Sequence, residues 1–203
     1  MPQITAIFWD LGGVLLSNAW DHAQRAQAVA KFQLDEIEFR DRHDMLVSSF
    51  ERGKITLDDY LDRIVFYRPR PFSREAFRDF MFSLSQPKSD ALEFVRALSK
   101  TGRCLMGTIN NESRELNRYR IEAFNLREIF SLFVSSCYVG MRKPEEGIYQ
   151  LALTLTQVRP ENFCFVDDRD LNLETARRLG MNTIRMENVT QLRQELQRLG
   201  VTT

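Results

Sequence analysis

The chain has 203 residues, with 28 Lys plus Arg against 28 Asp plus Glu, so its formal net charge is zero. That balance argues against a nucleic acid or an anionic membrane as partner and leaves a small molecule as the expected one. No apolar run approaches the roughly 20 residues that span a bilayer, and the first residues lack a basic stretch followed by an apolar segment, so a cytoplasmic protein is expected. Three cysteines, Cys104, Cys137 and Cys164, are too few and too odd in number for a disulfide framework, and are read as structural thiols.

The first predicted element is the apolar run Ile4-Thr5-Ala6-Ile7-Phe8-Trp9, which ends abruptly in Asp10-Leu11-Gly12-Gly13. It reads as a buried parallel strand delivering Asp10 to its carboxyl end, where open α/β sheets keep their ligands, although Asp and Gly also suit a plain turn. From about Asn18 to about Gln86 every segment looks helical. Ala23, Ala26, Ala30 and Phe32 mark one amphipathic stretch and Ile37, Phe39, Leu46, Val47 and Phe50 a second. Thr56 and Ser73 are expected N-caps, each followed by acidic residues in the first turn. Pro69 and Pro71 forbid helix between the last two segments. The result is a small bundle of four helices without a strand.

From Lys88 the pattern alternates. Strands are expected at 103–107, 132–135, 163–166 and 182–186, and helices at 90–98, 112–124, 145–155, 171–179 and 191–199. Alternation at this spacing predicts βαβ units: an α/β fold with a Rossmann-like parallel sheet, helices on both faces, and the helical bundle inserted after the first strand. The expected division is 1–16 and 87–203 for the α/β core and 17–86 for the insertion.

Three polar clusters in this second region carry chemistry. Asp167-Asp168 puts two adjacent carboxylates at the end of an apolar strand, a costly arrangement that a divalent cation compensates; hard oxygen ligands with few protein contacts suit Mg²⁺. Thr108-Ile109-Asn110-Asn111 lies where a strand gives way to a helix. Thr108 can donate to an anion and the following amides can add to it, while a cap and turn would use the same residues. Lys143, before Pro144, can place a point charge on a phosphate or on Asp10, although a Lys in such a place is commonly a surface residue.

Taken in order, these clusters resemble the haloacid dehalogenase-like (HAD) hydrolase superfamily over nearly the whole chain. In that family an apolar strand ends in the Asp nucleophile, a second strand ends in Ser or Thr, a Lys follows, and a last strand ends in paired acids. Here these are Asp10, Thr108, Lys143 and Asp167-Asp168, and the insertion looks like the family's small helical cap. The resemblance implies a phosphatase acting on a small phosphorylated metabolite. Asp10 attacks phosphorus and forms an aspartyl phosphate. Mg²⁺ sits among Asp10, the Gly12 carbonyl, and Asp167 or Asp168. Thr108, Asn110, Asn111 and Lys143 hold the phosphate. The chain departs from the family at Gly12, where most of its phosphatases carry a second Asp that protonates the leaving group. General acid-base help is worth about 10²- to 10⁴-fold in rate. Its absence leaves three alternatives: another group replaces the acid, the substrate has a good leaving group, or the protein is a weak or inactive phosphometabolite-binding or regulatory relative. His22, near the start of the insertion, has the chemistry of a replacement acid but also fits a solvated helix position. Arg68 and Arg70 could meet an anionic substrate and fit a solvated loop equally.

Overall fold

The computed structural model describes residues 3–202. Five strands, β1 (Ala6–Trp9), β2 (Leu105–Asn110), β3 (Leu132–Ser135), β4 (Phe163–Asp167) and β5 (Asn182–Arg185), form one parallel sheet in the order β3-β2-β1-β4-β5. β1 is central because it is apolar on both faces and buried throughout. Ile7 and Trp9 enter one hydrophobic cluster, with Met106, Cys164, Val166 and Ile184, while Ala6 and Phe8 enter another, with Ile109, Val134, Phe163 and Phe165. The first is covered by α5 (Ser89–Lys100) and α10 (Val189–Arg198), the second by α8 (Glu146–Thr156) and α9 (Asp170–Arg178). Helices therefore lie on both faces, as expected. No helix among the described residues is long and apolar enough to cross a membrane.

Four helices separate β1 from α5: α1 (His22–Lys31), α2 (Glu36–Glu51), α3 (Leu57–Ile64) and α4 (Arg74–Ser83). They bury a cluster of their own, including Phe39, Phe50, Tyr60, Leu61 and Phe77, to which Leu116 of α6 (Arg114–Ala123) is added from the sheet side. Thr56 accepts a hydrogen bond from the Asp59 amide in a complete capping box, and Ser73 accepts from the Ala76 amide, so both expected caps are in place. The segment 66–72 is irregular between its prolines.

One strand differs from expectation in a way that matters. β2 was expected to stop at Gly107 but runs to Asn110. Gly107 is a strand residue because the Phe8 ring lies where its side chain would be: a Cβ there would stand 2.4 Å from Phe8 Cζ. The glycine makes room for an aromatic ring in the neighbouring strand instead of breaking its own.

Candidate active site

Asp10 follows β1 directly. Its amide donates to Val166 O at 2.8 Å, continuing the ladder to β4, and its Oδ1 accepts from the Leu11 amide at 2.8 Å. β4 ends in Asp167, which is fully buried. Lys143, on the loop after the short helix α7 (Ser136–Val139), reaches between them, with Nζ 2.9 Å from Asp10 Oδ1 and 2.6 Å from Asp167 Oδ2. Asp167 is otherwise saturated: Oδ1 accepts from the Arg169 amide at 2.9 Å, and both oxygens lie 3.0 Å from Asn172 Nδ2 at the start of α9. The neighbouring Asp168 is unlike it, since its buried Oδ1 has no hydrogen-bond partner among the described residues.

Oxygens from Asp10, Asp167 and Asp168 lie within 4.8 Å of one another, with Lys143 the ammonium among them. Burial, reinforced by Asp167 and Asp168, raises the Asp10 carboxyl to about 7 although Lys143 pulls it down. Burial and then Asp167 raise Asp168 as well. Burial works against the Lys143 ammonium, but Asp10 and Asp167 outweigh it and hold its pKa above the ordinary lysine value. Three clustered carboxylates against one ammonium, with an unpartnered buried oxygen, form a hard donor set that a divalent cation would satisfy.

These groups open into a cavity of about 270 Å³ between the sheet and the inserted helices. Asp10, Gly12, Asn110, Asn111 and Lys143 line it, so five of the expected site residues meet at one cavity. The Asn110 side chain donates to Asn117 Oδ1 at 3.0 Å and accepts from Ser135 Oγ at 3.0 Å, while Asn111 is clamped to the Lys143 backbone by bonds of 2.9 and 2.8 Å. Thr108 is not brought to the cavity. It sits inside β2 opposite Trp9 and Phe133, fully buried, with Oγ1 unpartnered, and Asn110 is the residue that stands at the strand's end. His22 is exposed and lines a separate shallow recess with Val29 and Phe39. Arg68 pairs with Glu38 at 3.3 Å and Arg70 donates to Val65 O at 2.7 Å; neither lines the cavity.

The cavity is also lined by groups that motif reading does not single out. Gly12 has its missing side chain's space occupied: a Cβ there would stand 3.0 Å from Asn18 Oδ1 and 3.8 Å from Arg120 Nη1. Arg120 binds Glu112 at 2.7 Å and also donates to Ser17 O. Arg169 binds Asp21 at 2.6 Å, and Arg142 stands 2.9 Å from Glu51, the last residue of α2. Arg25 of α1 has no carboxylate within ion-pair distance among the described residues. The adjacency of Arg142 to Lys143 and of Arg169 to Asp168 is a signal that sequence alone offered. Glu51 offered none, since it ends an ordinary amphipathic helix.

The family model described as haloacid dehalogenase-like hydrolase matches residues 4–180. The pig (Sus scrofa) bifunctional epoxide hydrolase 2 is 25% identical over 97% of this chain, which spans only 39% of that protein's length. D-ribitol-5-phosphate phosphatase of Bacteroides thetaiotaomicron is 26% identical over 96% of this chain and 97% of its own. A HAD family enzyme from the same bacterium, solved with magnesium and inorganic phosphate, superposes with a TM-score of 0.75 over 93% of this chain and 98% of that one, at 20% identity. That last likeness is one of fold.

Proposed function

The chain belongs to the haloacid dehalogenase-like hydrolase family, and on that footing we propose that it is a Mg²⁺-dependent phosphomonoester hydrolase acting on a small phosphorylated metabolite. The observation that carries this reading is the cluster of Asp10, Asp167 and Asp168 around Lys143 at the carboxyl ends of β1 and β4. The magnesium- and phosphate-bound relative and the ribitol phosphate phosphatase support it from outside the chain. Asp10, Asp168 and the Gly12 carbonyl would hold the cation, because Asp167 already spends its oxygens on Lys143, Arg169 and Asn172 while Asp168 Oδ1 is free. When bound, it neutralises the substrate phosphate and keeps Asp10 ionised.

Asp10 attacks phosphorus in line with the leaving oxygen and forms an aspartyl phosphate, which water then hydrolyses. Lys143, held by Asp167, supplies a positive charge to the equatorial oxygens as they gain charge in the transition state. Asn110 and Asn111, at the end of β2, take the positioning task that the resemblance gives to a Ser or Thr. Arg25, lining the same cavity without a carboxylate partner, gives the inserted helices a charge for an anionic substrate and supports reading them as a cap.

The test is hydrolysis of p-nitrophenyl phosphate with Mg²⁺. Wild type is expected to turn it over, and Asp10→Asn to lower the rate at least about 10³-fold, as loss of a nucleophile does. Equal rates for the two would make the protein a phosphometabolite-binding relative, the outcome that Gly12 keeps open.

A further inference from the structure

We propose that Glu51, delivered by the last turn of α2, is the general acid and base that position 12 lacks. The inference rests on the phosphatase reading above and adds to it the group that handles the proton. Position 12 itself is closed to the role. The space beside Gly12 is taken by the Asn18 carboxamide and the Arg120 guanidinium, neither of which exchanges protons near neutral pH. Of the other groups along the cavity, Glu112 is bound by Arg120 at 2.7 Å, and Asp21 caps the His22 amide at 2.7 Å while binding Arg169 at 2.6 Å. Lys143 is committed to Asp10 and Asp167. Glu51 remains. Among the described residues its ion-pair partner is Arg142, 2.9 Å from Oε2, and that buried oxygen has no hydrogen-bond partner.

The site of Glu51 is built. Ser136 Oγ donates to the Glu51 carbonyl at 2.6 Å and accepts from the Glu112 amide at 3.0 Å, tying the end of α2 to α7 and to the loop after β2. Arg52 donates to Gly140 O at 2.8 Å and to Glu145 Oε2 at 2.9 Å. Gly53, at φ +66°, lies so close to the backbone of Cys137 that a Cβ would stand 2.1 Å from its carbonyl oxygen. Three consecutive residues thus pin the helix end to the sheet side and hold the Glu51 carboxyl at the cavity that Asp10 also lines. Burial raises this carboxyl above the ordinary Glu value. Arg142, Arg169 and Arg25 oppose the rise and Glu112 adds to it.

In the first half-reaction Asp10 forms a bond to phosphorus as the ester P–O bond breaks. Its electron pair stays on the leaving oxygen, which takes the proton of the Glu51 carboxyl and departs as the alcohol. In the second, the Glu51 carboxylate takes a proton from water as the water oxygen bonds to phosphorus and the Asp10–phosphorus bond breaks. Phosphate leaves, Asp10 is a carboxylate again and Glu51 is protonated again.

The experiment compares kcat/KM, which reads steps up to loss of the alcohol, for p-nitrophenyl phosphate and for glycerol phosphate, in wild type, Asp10→Asn and Glu51→Gln with Mg²⁺. An alkyl alcohol needs the proton and nitrophenolate hardly does. Glu51→Gln is therefore expected to lower the alkyl ester value about 10²-fold or more and the aryl value less than about tenfold. The alkaline limb of the alkyl ester pH profile is expected to disappear with it. Equal losses on both esters, or no loss on either, overturn the proposal while leaving Asp10 as nucleophile. Undiminished activity in Asp10→Asn overturns the phosphatase reading instead. If Glu51→Gln does not fold, Glu51→Asp decides: a greater loss on the alkyl than on the aryl ester supports the role, and equal losses refute it.

Discussion

At Gly13 the backbone takes φ +75°, and a Cβ there would stand 2.1 Å from Asp168 Oδ2. Both facts demand glycine, one through strain and the other through the carboxylate that the cation site needs nearby. Gly13→Ala is expected to cost about 1–3 kcal/mol of folding stability, measured by urea unfolding. It should also raise the Mg²⁺ concentration giving half-maximal activity, because Asp168 must move. Gly12 is different: its φ is not positive, and its importance lies in what fills the space beside it. Asp10 and the paired acids were legible because each is a polar interruption at the end of an apolar run, and Lys143 because it precedes Pro144 at the approach to a helix. Thr108 lies inside β2 and not beyond its end, because Gly107 continues the strand as a socket for the Phe8 ring. A contact between neighbouring strands leaves no trace in the local pattern of either. Asn110 is consequently the group at the end of β2.

Among the elements, α2 carries both the best hidden and the most exposed lesson about the insertion. Its middle holds His43, buried, with Nδ1 2.6 Å from Tyr60 Oη, which in turn accepts from Trp20 Nε1 at 2.9 Å. With Trp20 donating to it, the Tyr60 hydroxyl has its own proton to give to Nδ1 when the imidazole is neutral. Burial, with Arg25 adding, lowers the His43 pKa from 6.5 to about 4, against Asp44. Between those values the unfolded chain binds the proton and the folded one does not. Stability is therefore complete above pH 6.5 and falls as pH drops toward 4, by up to about 3 kcal/mol from this residue. Chemical denaturation at pH 7, 5.5 and 4 should show that slope in wild type and a flatter one in His43→Gln. The caps at Thr56 and Ser73 were readable because capping is written in a few adjacent residues. His43 and Glu51 were not, since a helix pattern says which face is apolar and nothing of what its polar residues meet in space.

For the whole molecule, the inserted helices have a hydrophobic cluster separate from the two that flank the sheet, and Leu116 of α6 is the fully buried residue lent to it from the sheet side. Leu116→Ala should cost about 2–5 kcal/mol. Its effect is expected in amide exchange of α3 and α4 more than of β1, because the cavity opens among the inserted helices although the mutation lies outside them. The parallel sheet was visible in the alternation of the sequence, whereas its strand order, β3-β2-β1-β4-β5, was not. Nor was the joint between insertion and sheet, since Leu116, the last turn of α2 and pairs such as Phe82 on Tyr119 and Asp21 with Arg169 come from parts far apart in the chain. That joint limits how such a protein can change its diet over generations. Substitutions on α1 and the loop before it, which line the cavity through Trp20, Asp21 and Arg25, can reshape what it accepts, whereas any that shift Glu51, Arg52 or Gly53 also shift a group in the reaction. New substrate preferences should therefore arise first around α1, with the end of α2 held still by selection for speed.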